Sequence, residues 1–270
     1  MPFAMVGYAL GTINSGLNFD FSILLLVILC MVFARSAAMA FNRWLDRDID
    51  ARNPRTVIRE IPSGIIKSDS ALLFVLLNCI LFLGTSWFIN ILCFMLSPAA
   101  LLVVLGYSYT KRFTALCHLV LGLGLSLAPV GAYLAVTGKF DVVPVLMGFS
   151  VLFWVSGFDI IYALQDEEFD RKNDLYSIPV KLGRIRSMRL SEWLHIISAI
   201  CLSGSLMISF EQLSLGYLAL TGLIIFLGML FYQHLIIKPT DLSRVNLAFF
   251  TTNGIASVIF GMLFILDLLF

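Results

Sequence analysis

Long apolar runs follow one another along this chain and constrain its fold more than any other feature. Stretches of about 20 mostly apolar residues, the length of a helix that crosses a bilayer, recur at 20–41, 70–90, 91–109, 114–136, 140–163, 187–208, 212–233 and 245–267. A further run at 2–16 is too short for a full span. We therefore predict an all-α polytopic membrane protein with about nine transmembrane helices around a central cavity. Because the short run starts abruptly at Met1, we expect an incomplete or misassigned amino terminus.

The composition supports this prediction because it departs from that of soluble domains. Hydrophobic residues make up 60% of the 270 residues and charged residues 13%, and the mean hydropathy is +0.95. Soluble domains are closer to about one half and one quarter. The net charge of +1 argues against a nucleic-acid partner. We predict one transmembrane domain over 1–270 that contacts membrane lipid, and no protein partner.

Basic residues are concentrated on one face of the predicted membrane domain. If the short first run crosses, the loops at 42–69, 110–113, 164–190 and 234–246 share one side and hold 16 of the 18 Lys and Arg residues. Cytoplasmic loops carry such an excess. We therefore predict an integral protein of the inner, or cytoplasmic, membrane, with the motif loops at about 42–69 and 164–190 in the cytoplasm.

Two acidic motifs lie at the cytoplasmic ends of the second and sixth predicted spans. Their polar residues recur at helical spacing: Asn42, Asp46 and Asp50 in NRWLDRDID, and Asp159, Tyr162, Asp166 and Asp170 in DIIYALQDEEFD. This spacing places each set on one helical face. An Ile-Pro dipeptide follows each motif, which suggests two parallel repeats of four helices.

Each set of polar residues forms a stripe of carboxylates along one helical face. Two such stripes require compensating positive charge. Like charges four residues apart on a helix repel each other, and carboxylate and amide oxygens suit Mg²⁺, which also binds substrate phosphates. The pattern favours two stripes that hold two Mg²⁺ and, through them, a diphosphate. The alternative is a solvated helix end whose acids pair with neighbouring arginines.

The motifs also carry a family resemblance. NRWLDRDID matches NxxxDxxxD and DIIYALQDEEFD matches DxxYxxxDxxxD, the two motifs of the UbiA superfamily of intramembrane aromatic prenyltransferases. The flanking segments ARSAAMAFNR, NPRTVIREIPSG and YSYTKRFT resemble the branch that contains 4-hydroxybenzoate polyprenyltransferases. The resemblance covers essentially the whole chain.

This resemblance implies transfer of a polyprenyl group from polyprenyl diphosphate to a small aromatic acid in quinone biosynthesis. It assigns one Mg²⁺ to Asn42, Asp46 and Asp50 and the other to Asp166 and Asp170. We assign Asp159 and Tyr162, which lie deeper in the span, to the allylic cation or the acceptor.

Basic residues near the motifs are candidates for binding the diphosphate. They are Arg55, Arg59, Lys67, Lys111 and Arg112, of which Lys111 and Arg59 are the strongest. The alternative for each is a topology signal or a lipid-headgroup anchor. Arg35 lies two helical turns before Asn42, and we predict that it binds the carboxylate of the acceptor. Pairing with Asp159, or extension toward the interface, is the other explanation.

Several alternatives remain open at this point. The acceptor is 4-hydroxybenzoate or 1,4-dihydroxy-6-naphthoate, and haem and chlorophyllide enzymes share both motifs. A cation-coupled transporter would place its acids near the bilayer midplane, and a CDP-alcohol transferase would show a Gly-rich signature that this chain lacks. Neither the length of the prenyl chain nor the oligomeric state can be read from the sequence.

Overall fold

The computed structural model describes residues 1–16, 18–213 and 215–270, which form helices joined by loops. The helices are α1 (Pro2–Ser15), α2 (Phe21–Leu45), α3 (Arg47–Asp50), α4 (Ser68–Ile89), α5 (Ile91–Thr110), α6 (Cys117–Thr137), α7 (Val142–Ala163), α8 (Glu167–Lys172), α9 (Ile178–Leu213), α10 (Tyr217–Ile236) and α11 (Asn253–Leu269). A 3₁₀ turn (Leu164–Asp166) joins α7 to α8, and a π-helix (Leu247–Thr252) leads into α11.

The predicted membrane architecture is confirmed. Eight helical segments of the described chain are long and apolar enough to cross a membrane, and they coincide with the eight predicted full spans. Helix α1 has only 14 residues, as expected from its short apolar run. Its Phe3 packs against Trp154 and Phe260 at centroid distances of 5.7 and 5.5 Å, so this helix belongs to the buried core.

Helix α7 is the centre of the bundle and packs most extensively against α6 and α9. Glycines permit this close approach, as is common between membrane helices. A Cβ atom at Gly122 of α6 would clash with the backbone carbonyl of Leu152 in α7, and one at Gly157 of α7 would clash with the His195 ring of α9. The second acidic motif therefore follows a helix that is held firmly on two sides.

The two membrane faces of the bundle differ in their connections. Opposite the acidic motifs, polar residues cap the starts of helices, and the Asp20 Oδ1 atom accepts hydrogen bonds from the backbone N–H groups of Ser22 and Ile23. The turns on this face are short, since Asn90 alone separates α4 from α5 and residues 138–141 separate α6 from α7. The long connections, 51–67 and 164–177, lie on the motif face.

Neither acidic motif lies on an unbroken helix. Helix α2 ends at Leu45, yet the N–H of Asp46 still donates to the Asn42 carbonyl at 3.0 Å and that of Asp50 to the Asp46 carbonyl at 2.8 Å. After α7 the chain passes through the 3₁₀ turn into α8. Each motif thus includes the end of a long helix, a break and a short helix. The polar side chains of each motif remain on the same side of the chain through the break.

Candidate active site

The two acidic motifs meet across one cavity of about 250 Å³ at the motif face of the bundle. It is bounded by the ends of α2, α5 and α7, by the starts of α6 and α9, and by the segments that follow α2 and α7. Most of the predicted site residues line it: Asn42, Asp46, Asp50, Arg55, Arg59, Lys111, Asp159, Tyr162, Asp166 and Asp170. The lining therefore holds five carboxylates and only three Arg and Lys side chains.

Asp46 is the most buried acid of the first motif, with 1% of its surface exposed. Its Oδ2 atom lies 2.5 Å from Lys111 Nζ and accepts a hydrogen bond from the Asn42 side chain at 3.0 Å. Its Oδ1 atom is buried and accepts no hydrogen bond from the described residues; Arg112 Nη2 lies 3.6 Å from it. Such an incompletely satisfied buried carboxylate oxygen is costly unless a cation compensates it.

Asp50 and Asp166 each pair with an arginine from the loop that follows α3. Arg59 Nη1 donates to both oxygens of Asp50, at 2.7 and 2.8 Å. Arg55 binds Asp166 in a bidentate manner, with distances of 2.9 Å from Nε to Oδ1 and 2.5 Å from Nη2 to Oδ2. Because Arg55 belongs to the loop after the first motif and Asp166 to the second, this pair ties the two motifs together.

Arg55 also orients Tyr162 and keeps its own charge. Its Nη1 donates to the Tyr162 hydroxyl at 3.2 Å, and its guanidinium carbon lies 5.5 Å from the centroid of that ring. Partial burial works against the charged form, but the hydrogen bonds to Asp166 prevail and raise the pKa of Arg55 above its usual value. This arginine therefore stays cationic throughout the physiological pH range.

Tyr162 and Asp159 line the part of the cavity nearest the bundle core. The Tyr162 ring lies against Phe249 of the π-helix at a centroid distance of 4.2 Å. Asp159 Oδ2 lies 2.7 Å from Nδ1 of His118, so it does not depend on Arg35 for a partner. The alternative explanation for Arg35, that it pairs with Asp159, receives no support.

Three predicted residues do not line this cavity. Lys67 is exposed at the start of α4. Arg112 donates to the Leu45 carbonyl at the end of α2, at 2.7 Å, and approaches Asp46 from outside the cavity. Arg35 is exposed on α2 and makes no ion pair or hydrogen bond with the described residues. Lys67 and Arg112 are thus poorly placed to bind a diphosphate in the cavity.

The donor set of the cavity fits Mg²⁺ held together with a phosphorylated substrate. No group of three or more His, Cys, Asp or Glu residues within 1–16, 18–213 and 215–270 is arranged to hold a metal by itself. Mg²⁺ seldom needs such a cage, because one or two carboxylates, water and substrate phosphates complete its shell. The unpaired Asp46 oxygen and the excess of carboxylates meet that requirement.

Sequence reasoning did not identify Asn53 and His118 as residues of the cavity. Asn53 donates to Asp166 Oδ1 at 3.3 Å and accepts the backbone N–H of Arg55 at 2.9 Å, so it fixes the arginine loop against the second motif. His118 also lines the cavity, beside Asp159. The Asn-Pro dipeptide at 53–54 is a turn signal, whereas nothing in the sequence indicates the role of His118.

Comparison with known proteins decides the family. The model of the UbiA prenyltransferase family matches residues 1–255. The chain belongs to the UbiA prenyltransferase family. The resemblance inferred from the two motifs is therefore confirmed, as is the prediction of a membrane-embedded prenyltransferase.

Individual relatives agree with this assignment over most of their length. The chain is 34% identical over 257 residues to a 4-hydroxybenzoate octaprenyltransferase of Nitrosomonas europaea. The alignment covers 93% of this chain and 84% of that protein. It is 31% identical over 244 residues to one of Aliivibrio fischeri, covering 89% and 82%.

Solved structures show the same fold. A UbiA homolog from Aeropyrum pernix K1 superimposes with a TM-score of 0.85 at 28% identity and covers 98% of this chain and 97% of its own. A UbiA homolog from Archaeoglobus fulgidus, described as bound to DMAPP and Mg²⁺, superimposes with a TM-score of 0.70 at 20% identity, covering 99% and 95%.

Proposed function

We propose that this chain is an Mg²⁺-dependent aromatic prenyltransferase that moves a polyprenyl group from its diphosphate to 4-hydroxybenzoate in ubiquinone synthesis. The observation that carries the proposal is the meeting of both acidic motifs, with Arg55, Arg59 and Lys111, across one cavity. The names of the relatives support the choice of acceptor.

The outer part of the cavity has the charges that a departing diphosphate requires. Residues proposed to hold two Mg²⁺ are Asn42, Asp46 and Asp50 on one side and Asp166 and Asp170 on the other. When bound, Mg²⁺ neutralises the negative charge that develops on the leaving oxygen. Arg55, Arg59 and Lys111 donate hydrogen bonds to the diphosphate, and these strengthen as the carbon–oxygen bond breaks.

The inner part of the cavity provides for the allylic carbon and the acceptor. The bonding pair of the allylic carbon–oxygen bond leaves with diphosphate, and the Tyr162 ring stabilises the resulting cation through its π face. A ring carbon of the acceptor supplies the pair for the new carbon–carbon bond. Asp159 then takes the proton from that ring carbon, which restores the aromatic ring.

The position of the acids favours this reaction over cation transport. They lie at helix ends beside long loops, whereas a transporter holds its coupling ion near the bilayer midplane. The excess of Arg and Lys on the same face supports a cytoplasmic cavity in the inner membrane. In that orientation the diphosphate stays in water and the prenyl chain lies among the lipid tails.

The acceptor carboxylate is proposed to bind Arg35, which lies outside the cavity lining, so that the acceptor extends from the cavity toward α2. This arginine is on α2, two turns before Asn42, and forms no ion pair with the described residues. An Arg35→Ala variant should raise the KM of the acceptor far more than that of the prenyl donor. An unchanged acceptor KM would remove Arg35 from the proposal.

A direct assay tests the function. Purified protein in lipid is incubated with Mg²⁺, a long-chain polyprenyl diphosphate and either 4-hydroxybenzoate or 1,4-dihydroxy-6-naphthoate, and products are detected by mass spectrometry. We expect a prenylated hydroxybenzoate that disappears with EDTA and returns with excess Mg²⁺. Product from the naphthoate alone would move the protein to menaquinone synthesis, and a metal-independent product would contradict the role of the acidic motifs.

A further inference from the structure

His118 is a buried residue that connects three helices at the inner end of the cavity. It lies at the start of α6 with 3% of its surface exposed. Its Nδ1 atom is 2.7 Å from Asp159 Oδ2 of α7, and its Nε2 atom is 3.3 Å from the backbone nitrogen of Ile178, the first residue of α9. Both ring nitrogens are thus engaged.

These two contacts define the tautomer of the ring. The backbone N–H of Ile178 can only donate, so Nε2 accepts and carries no proton. The proton of a neutral ring must then be on Nδ1, which donates to Asp159. The arrangement fixes the orientation of the Asp159 carboxyl group and leaves its Oδ1 atom without a hydrogen-bond donor from the described residues.

The backbone around His118 is held in place as firmly as its ring. The Ser156 hydroxyl of α7 donates to the His118 carbonyl at 3.1 Å. One turn further along α6, Gly122 lets the helix approach the Leu152 carbonyl of α7. These contacts fix the distance between the two helices at the level of Asp159, which follows Ser156 by three residues.

We infer that His118 is a positioning residue which, through Nδ1–H, orients Asp159 so that its Oδ1 atom is free to take the proton of the acceptor. The inference rests on the proposed function, because Asp159 acts as the base there. His118 itself touches neither the diphosphate nor the acceptor in this scheme; its effect passes through Asp159 alone.

The contact can be measured without any activity. The chain has only three histidines, so a sample labelled with ¹⁵N-histidine in lipid nanodiscs gives few ring resonances, and a His118→Asn sample identifies those of His118. We expect a protonated Nδ1 and an unprotonated Nε2, with the Nδ1 proton shifted in an Asp159→Asn sample. A His118 ring protonated on Nε2 alone would overturn the inference whether or not the protein transfers prenyl groups.

A matched pair of variants separates positioning from a structural role. His118→Asn places an amide donor near the site of Nδ1, whereas His118→Phe keeps a ring and removes the donor. Neither replacement accepts the Ile178 N–H at the position of Nε2, so the pair differs chiefly in the contact to Asp159. We expect kcat to fall about 10- to 100-fold in His118→Phe, the range for a hydrogen bond to a charged group, with the KM of the prenyl donor unchanged. His118→Asn should recover most of that loss.

A double-mutant cycle with Asp159 completes the test. In an Asp159→Asn background, His118→Phe should cause no further loss of kcat. Multiplicative losses, or equal losses in His118→Asn and His118→Phe, would show a purely structural histidine and overturn the inference.

His234→Asn, at a half-buried histidine that does not line the cavity, is the control for histidine replacement, and thermal unfolding in detergent checks that all variants fold. If the wild type gives no prenylated product, the proposed function fails, while the NMR result still decides the contact.

Discussion

Asp46 is the residue on which the proposed metal site depends most directly, because it is buried and its Oδ1 atom has no hydrogen-bond donor among the described residues. Replacing it by asparagine removes the charge and keeps the shape. We expect Asp46→Asn to lower the rate of transfer on the order of 100- to 1,000-fold and to raise the Mg²⁺ concentration needed for half-maximal rate. Initial rates over a Mg²⁺ series measure both effects.

The control for this variant lies two residues away. Asp48 belongs to the short helix α3 that directly follows Asp46, is exposed and does not line the cavity. Asp48→Asn should therefore leave the rate and its Mg²⁺ dependence within about 2-fold of the wild type, as is usual for a surface substitution. Equal losses of transfer rate in Asp46→Asn and Asp48→Asn would mean that the acidic face of the first motif has no special role.

Arg55 offers a second prediction at the level of single residues. Its planar guanidinium reaches both Asp166 oxygens and the Tyr162 hydroxyl, and a lysine ammonium cannot reproduce this geometry. Arg55→Lys should lower kcat/KM for the prenyl donor about 10-fold or more, although the charge is kept. Arg52→Lys is the matched control, because Arg52 is exposed and, among the described residues, its side chain hydrogen-bonds to the Asp48 carbonyl alone. Steady-state kinetics at varied concentrations of the prenyl donor distinguish the two variants. An unchanged kcat/KM in Arg55→Lys would contradict a requirement for bidentate binding.

Among the helices, the contact between α6 and α7 is the one that fixes the inner site. A methyl group at Gly122 would meet the Leu152 carbonyl, which belongs to the backbone and cannot rotate away. We expect Gly122→Ala to destabilise the protein by about 1–3 kcal/mol through overpacking and to slow prenyl transfer as well. Unfolding in mixed micelles gives the first quantity.

The same helix provides the control for this change. A Cβ atom at Gly131 would have no neighbour within 4 Å, so Gly131→Ala should be neutral or slightly stabilising, since alanine favours helix. If both variants unfold alike, the close approach at Gly122 has little energetic weight.

The helices were more predictable from the sequence than the connections between side chains. Apolar runs of bilayer length located all eight full spans, and spacing by four identified Asp46, Asp50, Asp166 and Asp170 as one group. The breaks after Leu45 and Ala163 were not predictable, because the local helical periodicity continues through them. The contact of His118 with Asp159 joins residues 41 positions apart, and that of Arg55 with Asp166 joins residues 111 apart. Such pairs depend on helix packing, which hydropathy does not encode.

At the scale of the whole molecule, the uneven distribution of charge predicts the orientation in the membrane. Ser63 and Lys139 are exposed in loops on opposite faces of the bundle. In a background without native cysteines, Ser63→Cys should react with an impermeant maleimide only from the cytoplasmic side, and Lys139→Cys only from the other. Labelling of inverted and right-side-out vesicles checks this expectation, and the reverse pattern would place the cavity outside the cell.

The short turns opposite the cavity have a consequence for the biogenesis of this protein. During insertion, polar backbone and side chains must be carried across the hydrocarbon layer, and unsatisfied polar groups are costly there. Between α4 and α5 only Asn90 makes that passage, and between α6 and α7 only residues 138–141. Each of these helix pairs can enter the bilayer as a hairpin with a short tip, and in the predicted orientation the segments that carry the acidic motifs stay on the side on which they were synthesised.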